Sequence, residues 1–280
     1  MATSGFRRHL QPMDRSIGCQ RDKLLALDMP LPPLAEQKRI AGVLSEKVAA
    51  VERARRSAEA QLQAAEYLPA AYLPAVFNSP EAQQWQRKRL GDVCSIIGGN
   101  TLPPPNEAGN EDRVYCLKVS DLNGEFCDGP WLSGGALYTS RRLAGARVLE
   151  AGAVVFPKRG GAIATNRKRI LKAPAVLDPN LMGIQPLGSG GVLTSYLHLW
   201  FEGWDLASLQ SGNTVPQINQ QDLSPLLIPV PPLSVQQRVA ARLSAQMASV
   251  ERLRQTLAEQ LDAINQLPGA LLRRAFSGEL

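Results

Sequence analysis

Residues 29–79, which begin MPLPPLAEQKRIAGVLSEKVAAVERAR, are repeated at residues 228–278, which begin IPVPPLSVQQRVAARLSAQMASVERLR. The offset is 199 residues, from Met29 to Ile228, and it holds along both copies without a gap. A duplication of this kind predicts two equivalent elements that flank a segment without a repeat, so it decides the architecture before any single residue does.

Each copy opens with a proline-rich segment, which excludes a preceding helix, and continues with apolar residues at alternating steps of three and four. The pattern predicts two long coiled-coil-forming helices of about thirty residues, or about 45 Å, that end near Pro69 and Pro268. We expect the two copies to pack against each other, antiparallel when a second half is counted, and Phe77 and Phe276 to anchor the segments that follow. The candidate subunit-interface residues are the apolar seam residues Ile40, Leu44, Val51, Leu62, Val239, Leu243, Val250, Leu257 and Leu261.

Arg55 and Arg254 occupy equivalent positions in the two seams. A polar residue at a matched seam position can fix the register of a coiled coil. The alternative is a long side chain that lies along the edge of the seam with its charge in solvent.

The segment between the copies, residues 80–227, has a different composition, with short runs rich in Val, Ile, Tyr and Phe between turn residues. Such runs predict strands, at 93–97, 114–122, 153–159, 169–173 and 181–187. Residues 194–212 show a helical period that ends at Gly212. The fold class expected is therefore α+β, with one domain built on a mixed, mainly antiparallel sheet and flanked by the two long helices.

The charge distribution points to an anionic partner. The chain has a net charge of +6 and a pI near 9.3. Residues 141–172 contain nine Lys or Arg against one acidic residue, Glu150. This segment predicts a positive surface suited to nucleic acid. Solvated loops on a basic protein would give the same pattern, and composition alone does not separate the two.

No catalytic or metal-binding pattern is present in the sequence. The four cysteines form no CxxC pair and only two histidines occur, so no zinc site, other metal site or bound cofactor is expected. No phosphate-binding loop is found. We expect His198 to be a packed core residue and Asp121 to cap a turn. Reduced thiols, together with the lack of a membrane-spanning run or signal peptide, predict a cytoplasmic protein.

Polar and cationic side chains at the ends of predicted strands supply the groups that bind double-stranded DNA. Arg contacts guanine edges, Asn and Gln contact adenine, and Lys and Thr bind phosphates, while glycine allows close backbone approach. The candidates on this ground are Lys158, Arg159, Gly160, Asn166, Arg167, Lys168, Arg169, Asn213, Thr214 and Gln217.

With these residues in place, the chain resembles the specificity subunit of type I restriction–modification systems over residues 14–280. The two proline-rich helix openings, AFSGEL at 275–280, WQRKRLGDVCSIIGGNT at 85–101, LKVSDL at 117–122, GAVVFPKRGG at 152–161 and SGNTVPQINQQDLSPLLIPVPPL at 211–233 resemble landmarks of that family in order and spacing. The motif at 85–101 adds Asn100 and Thr101 to the candidate DNA-binding residues, and the motif at 117–122 adds Lys118.

The resemblance implies a non-catalytic subunit whose target-recognition domain contacts half of a bipartite DNA site. It implies helices that act as spacers and dock modification subunits, which use S-adenosylmethionine, alongside an ATP- and Mg²⁺-dependent restriction subunit. The expected domains are a remnant of an upstream recognition domain or an N-terminal extension at 1–28, a helical spacer at 29–79, the recognition domain at 80–227 and a second spacer at 228–280.

One complete recognition domain between two spacers differs from the two domains usual in the family. The expectation is therefore a half-size or truncated subunit, of which two copies associate through the helices and recognise a symmetric, interrupted site. The alternative from another functional class is a coiled-coil protein-interaction scaffold without direct contact to DNA.

Overall fold

The computed structural model describes residues 31–105, 112–188, 191–211 and 215–280. The predicted remnant at 1–28 lies outside these residues. The helices are α1 (Leu34–Phe77), α2 (Pro80–Gln83), α3 (Leu90–Val93), α4 (Arg141–Ala144), α5 (Thr194–Glu202), α6 (Gln220–Leu223) and α7 (Leu233–Phe276). The strands are β1 (Arg87–Arg89), β2 (Cys94–Gly98), β3 (Arg113–Leu117), β4 (Cys127–Asp128), β5 (Trp131–Leu132), β6 (Tyr138–Ser140), β7 (Val154–Pro157), β8 (Arg169–Leu171), β9 (Ala175–Leu177), β10 (Leu181–Pro186) and β11 (Leu227–Pro229).

The duplicated segments form α1 and α7, and each is 44 residues long, which corresponds to about 66 Å. The prediction that Pro69 and Pro268 end these helices is wrong, because both prolines lie inside them. A proline inside a helix costs about 3 kcal/mol. In α1 the turns beyond Pro69 bury Leu73 and Phe77, and burial of each such side chain contributes about 1.5–3 kcal/mol. This burial offsets much of the cost of Pro69 and of Pro74, which also lies inside α1.

The two predicted phenylalanine anchors differ. Phe77 is buried and makes an edge-to-face contact with Tyr196, with ring centroids 5.5 Å apart. Phe276 is 52% exposed. The anchor prediction is thus confirmed for the first copy and wrong for the second.

The chain divides into two compact units. One combines α1 up to Glu66 with residues Glu251–Leu280. Within it, the Arg39 guanidinium donates to the backbone oxygen of Leu280 at 2.7 Å, so the start of α1 lies beside the end of the chain. The helices therefore run antiparallel in this unit. Ala58, Ala65, Leu257 and Ala275 are buried there.

The seam arginines make intrahelical ion pairs. Arg55 lies 2.8 Å from Glu52 and 3.5 Å from Glu59, and Arg254 lies 3.1 Å from Glu251. Each arginine side chain keeps 42% of its surface exposed. These contacts fit side chains at the edge of the seam better than register-fixing residues within it.

The second unit, Tyr67–Val250, is built on three sheets. A six-stranded sheet has the order β2-β10-β7-β8-β5-β4, a three-stranded sheet the order β6-β3-β9, and β1 pairs with β11. The pairs β5–β8 and β3–β9 are parallel, and the others are antiparallel. The predicted class, an α+β fold with a mixed sheet domain flanked by two long helices, is confirmed.

Two elements are shorter than predicted. The strand expected at 114–122 ends at Leu117, where the Asp121 carboxylate accepts a hydrogen bond from the Lys118 backbone N–H at 2.7 Å and caps a 3₁₀ turn. The capping role expected for Asp121 is therefore confirmed. The helix expected at 194–212 ends at Glu202, because a new turn starts at Asp205, whose carboxylate accepts from the Ala207 N–H at 3.0 Å.

The main core of this unit collects side chains from α5, from the end of α1 and from the start of α7. Phe156 and Phe201 pack edge to face at 5.0 Å inside it. Leu243 has no exposed surface and Val239 packs against the same cluster. These two predicted interface residues are therefore corrected to core positions, since the seam pattern does not distinguish a partner chain from the protein's own sheet domain.

The duplicated glutamines make the same local contact. The Gln37 side chain donates to the backbone oxygen of Pro32 at 2.7 Å, and Gln236 donates to that of Pro231 at 2.8 Å. Gln236 is fully buried and also bonds the backbone of Gly191 and Leu193. The second copy is thus fixed to the sheet domain by a residue that the repeat shares.

Candidate nucleic-acid interface

The end of β7 and the segment before α6 are joined by backbone hydrogen bonds. The Ile218 N–H donates to the Lys158 oxygen and the Gly160 N–H donates to the Pro216 oxygen, both at 2.9 Å. Arg159 and Gln217 form an antiparallel bridge. The structure therefore brings together two clusters that the sequence places nearly sixty residues apart, Lys158–Gly160 and Gln217.

The Arg159 side chain is exposed but held in place. Its Nε and Nη2 donate to the Gln217 amide oxygen at 3.2 and 3.0 Å. The Gln217 amide nitrogen donates to the Asn219 side-chain oxygen at 2.5 Å. Asn219 in turn donates to the Ser211 hydroxyl at 3.0 Å, and that hydroxyl donates to the Asp222 carboxylate at 2.8 Å. The group that orients the guanidinium by direct contact is thus a neutral amide, and the Asp222 carboxylate stands at the far end of the chain.

Lys158 lies beside the end of β2. A Cβ atom on Gly98 would come within 3.0 Å of the Lys158 ammonium group, so that glycine leaves the space the lysine uses. Burial lowers the pKa of Lys158, and the nearby charges of Arg159 and Arg147 lower it further, against the opposing effect of Asp178. Arg147 is therefore a neighbour of this cluster that was not among the predicted site residues, although its place in the basic segment was a signal for it.

Asn100, Thr101 and Lys118 follow neighbouring strands. The Asn100 N–H donates to the Leu177 oxygen at 2.9 Å, and the Asp178 N–H donates to the Leu117 oxygen at 3.0 Å. These bonds set the residues after β2, β3 and β9 along one edge, with Asn100, Thr101 and Lys118 exposed. A small cavity of about 160 Å³ there is lined by Asn100, Thr101 and Arg147, among others.

Asn166 and Lys168 have a structural role. Lys168 is completely buried, and its ammonium group donates to the Trp204 oxygen and the Asn166 side-chain oxygen, both at 2.9 Å. Asn166 adopts a left-handed backbone conformation (φ 52°), and its side-chain oxygen also accepts from the Leu206 N–H at 2.9 Å. The prediction that Lys168 contacts DNA is corrected, because its charge is used inside the fold.

The remaining candidates differ in what the structure shows. Arg169 donates to the Lys168 backbone oxygen at 3.2 Å, and its buried Nε has no partner among the described residues. Arg167 is half-buried, and within the described ranges its guanidinium makes no hydrogen bond or ion pair. Asn213 and Thr214 lie outside the described residues.

The histidine and cysteine side chains of the sheet domain are buried or partly buried. His198 is buried, 3.2 Å from Glu202, as expected for a core histidine. Cys94, Cys116 and Cys127 are free thiols, and burial raises the pKa of Cys94 to about 12. In the part of the chain that the structure describes, no cluster of His, Cys, Asp or Glu could hold a metal ion, and no helix has the length and apolar character of a membrane span.

The cations of residues 141–172 also differ in whether they make an ion pair. Arg141 is neutralised by Glu150 at 2.6 Å, and Lys172 lies 3.5 Å from Asp128. Lys158 and Arg159 have no ion pair among the described residues, and Gly160 and Gly161 follow them with open space around both. We define the candidate DNA-contact surface, called the DNA-contact surface below, as residues 98–101, 158–161 and 217, together with Arg147. It combines cations that make no ion pair among the described residues with open space at Gly160 and Gly161, which suits a polyanion.

Comparison with known proteins also points to DNA recognition. Residues 82–263 match the family model described as the type I restriction modification DNA specificity domain. The type I restriction enzyme EcoDI specificity subunit of Escherichia coli is 32% identical over 92 residues, which cover 31% of this chain and 20% of that protein.

Solved structures share the fold. A structure of a type I R-M system, described for its complex assembly and conformational transition, matches with a TM-score of 0.71 at 24% identity, over 90% of this chain and 62% of that chain. The HsdS subunit from Thermoanaerobacter tengcongensis matches with a TM-score of 0.58 at 25% identity, over 90% of this chain and 60% of that chain. The chain thus spans about three-fifths of these structures. With a family match across the sheet domain and into α7, the chain belongs to the type I restriction-modification DNA specificity domain family.

Proposed function

We propose that this chain is a non-catalytic, sequence-specific double-stranded DNA-binding subunit of a type I restriction–modification complex, and that its DNA-contact surface binds one half of a bipartite site. The single observation that carries the proposal concerns Lys158 and Arg159. These two cations have no carboxylate partner among the described residues, and the open glycine backbone at 160–161 follows them directly. Membership of the specificity-domain family supports the same function.

The cations of the basic segment differ in whether a carboxylate already pairs with them. Phosphate contacts supply most of the affinity for DNA, and a side chain already paired with a carboxylate contributes little to them. Arg141 is such a side chain, whereas Arg159 is held by a neutral amide. Glycines without neighbours let a nucleic-acid backbone or base edge approach the main chain closely.

We also propose that the helices carry the partner contacts. Ile40 and Leu44 of α1 are half-exposed and Val48 is 40% exposed, whereas Leu243, the copy of Leu44, is fully buried. An apolar face left open on a helix suits a partner protein, which we assign to a modification subunit or to a second copy of this chain. S-adenosylmethionine, ATP and Mg²⁺ belong in this proposal to the partner subunits.

The DNA-binding proposal is tested with the full chain, alone and with the modification subunits of its own system. Fluorescence anisotropy with a labelled random-sequence duplex is measured over a range of salt concentrations for wild type, Lys158→Gln and Arg141→Gln. The slope of log K against log salt is negative, and each lost phosphate contact lowers its magnitude by about 0.9. We expect that loss for Lys158→Gln and no change for Arg141→Gln. Absence of DNA binding by wild type in both preparations would refute the proposal.

The partner proposal is tested by mass photometry of the same preparations. We expect Leu44→Glu to lower the fraction of assembled particles by about tenfold. Glu46→Gln, an exposed position in the same helix, is the matched control and should leave assembly unchanged. Equal assembly by Leu44→Glu and wild type would show that this face of α1 makes no partner contact.

A further inference from the structure

We propose that Arg159 determines specificity for a guanine in the recognised sequence, and that Gln217 is the positioning residue that orients it. The inference rests on the proposed DNA-binding function and goes beyond it, because it names one side chain, one base and the device that joins them. The sequence alone had placed both residues among equivalent candidate DNA contacts.

One edge of the Arg159 guanidinium stays free of protein acceptors among the described residues. A guanidinium has five N–H groups in a fixed plane, and Gln217 uses the Nε side of it through two hydrogen bonds to a single oxygen. Among the described residues, no acceptor faces Nη1. The end of the plane formed by Nη1 and Nη2 therefore offers two parallel N–H groups. That is the arrangement that binds O6 and N7 of guanine in the major groove.

Both ends of the Gln217 amide are engaged, the oxygen by Arg159 and the nitrogen by Asn219 at 2.5 Å. A glutamine that contacts adenine needs both groups free. Gln217 therefore acts through Arg159 and not on a base of its own.

The side chains that hold Arg159 are themselves held in place by hydrogen bonds. Asn219 is itself fixed, since its backbone N–H donates to the Asp222 carboxylate at 2.7 Å and its side chain donates to Ser211. The backbone bridge between Arg159 and Gln217 holds the two main chains in register. An arginine whose fork is oriented before binding loses less conformational freedom on contact, which favours base discrimination over simple phosphate attraction.

The alternative role for Arg159 is a phosphate contact. A lysine replaces an arginine at a phosphate as a point charge, but it cannot reproduce a bidentate contact to guanine. Arg159→Lys therefore separates the two roles. Gln217→Met keeps the length of the side chain and removes the acceptor, so it tests the positioning role independently.

The experiment is selection from a random duplex library by the full chain with its modification subunits, followed by sequencing of the bound fraction. We expect wild type to enrich a motif that contains a guanine whose replacement weakens binding by about ten- to a hundredfold. Arg159→Lys should lose the preference at that one position, keep the rest of the motif, and bind random DNA within about twofold of wild type. Gln217→Met should weaken the same preference by a smaller factor, with an unchanged melting temperature.

The outcomes separate a guanine contact by Arg159 from a phosphate contact. If Arg159→Lys keeps every position of the motif, or loses affinity equally on all sequences, Arg159 is a phosphate contact and the inference is wrong while the proposed function stands. If wild type binds DNA but enriches no motif, sequence-specific recognition itself is wrong. If Gln217→Met does not fold, the Arg159→Lys result alone decides.

Discussion

The ammonium group of Lys168 lies 2.9 Å from the backbone oxygen of Trp204, inside the sheet domain and out of contact with solvent. A lysine in the middle of the most basic segment of the chain is thus part of the core. It joins the turn after the 3₁₀ helix at 160–165 to the segment that follows α5. The basic surface is correspondingly smaller than the composition of residues 141–172 indicates.

Replacing Lys168 with Met is expected to destabilise the fold. The change leaves the backbone oxygens of Trp204 and Asn166 without the donor they have in wild type, whereas the Asn166 side-chain oxygen keeps the Leu206 N–H, and such a loss costs about 1–3 kcal/mol. The free energy of unfolding from urea denaturation measures it. Lys172→Met, at an exposed and weakly paired position, is the matched control and should change stability by less than about 0.5 kcal/mol. Equal stability of Lys168→Met and wild type would contradict the assignment of Lys168 to the core.

The stability of the protein should also depend on pH through Lys168. Burial lowers the pKa of its ammonium group below the ordinary value of 10.5. Between the lowered pKa and 10.5, the unfolded chain binds a proton that the folded chain does not, so a rise in pH favours the folded state. The free energy of unfolding of wild type, relative to Lys168→Met, should therefore increase from pH 7.5 to pH 10. A constant or shrinking difference would argue against a depressed pKa.

The repeat offers a matched pair of core and surface leucines. Leu243 is fully buried, and truncation of such a leucine to alanine costs about 2–5 kcal/mol. Leu44 is its copy and is only half-buried, so Leu44→Ala should cost about 1 kcal/mol or less in the isolated chain. Thermal and urea denaturation of both variants checks this. Comparable losses at the two positions would mean that Leu44 is covered to the same degree as Leu243.

Gly161 provides a test of steric access without a change of charge. A Cβ atom there would meet no protein atom within 4 Å, so Gly161→Leu should fold with an unchanged melting temperature. A leucine at this place would keep DNA from the backbone beside Arg159, and we expect affinity to fall by about tenfold. Gly188→Leu, with equally open surroundings, is the control and should bind as wild type does. If Gly161→Leu binds DNA normally, the DNA does not approach this backbone.

Much of the fold is encoded in local patterns, and the exceptions have identifiable physical causes. The strand runs at β2, β7, β8 and β10 were predicted, because period and residue type are local properties. The continuation of α1 beyond Pro69 was not predicted, because burial of Leu73 and Phe77 depends on the sheet domain, and the continuation of α7 beyond Pro268 was not predicted either. The length of α5 also depended on tertiary contacts, since Asn166 and Lys168 bond the backbone just beyond its end.

The candidate site was predicted in part. Lys158, Arg159, Gly160 and Gln217 were proposed from residue type, and the structure brings them together. Lys168 could not be distinguished from its neighbours, since a charged residue in sequence carries no sign of burial. The link from Arg159 to Gln217 joins residues 58 positions apart, so only the pairing of the segments around them reveals it.

The location of the DNA-contact surface is central to the proposed function, and site-specific photo-crosslinking measures that location directly. A benzoylphenylalanine is placed at Thr101, at Gly161, or at Asp128, whose side chain is 86% exposed on β4 at the opposite edge of the six-stranded sheet from β2. Each full-length variant, with its modification subunits, is irradiated with labelled duplex DNA. We predict crosslinks from positions 101 and 161 and none from position 128. Crosslinks from position 128 alone would contradict the assigned surface.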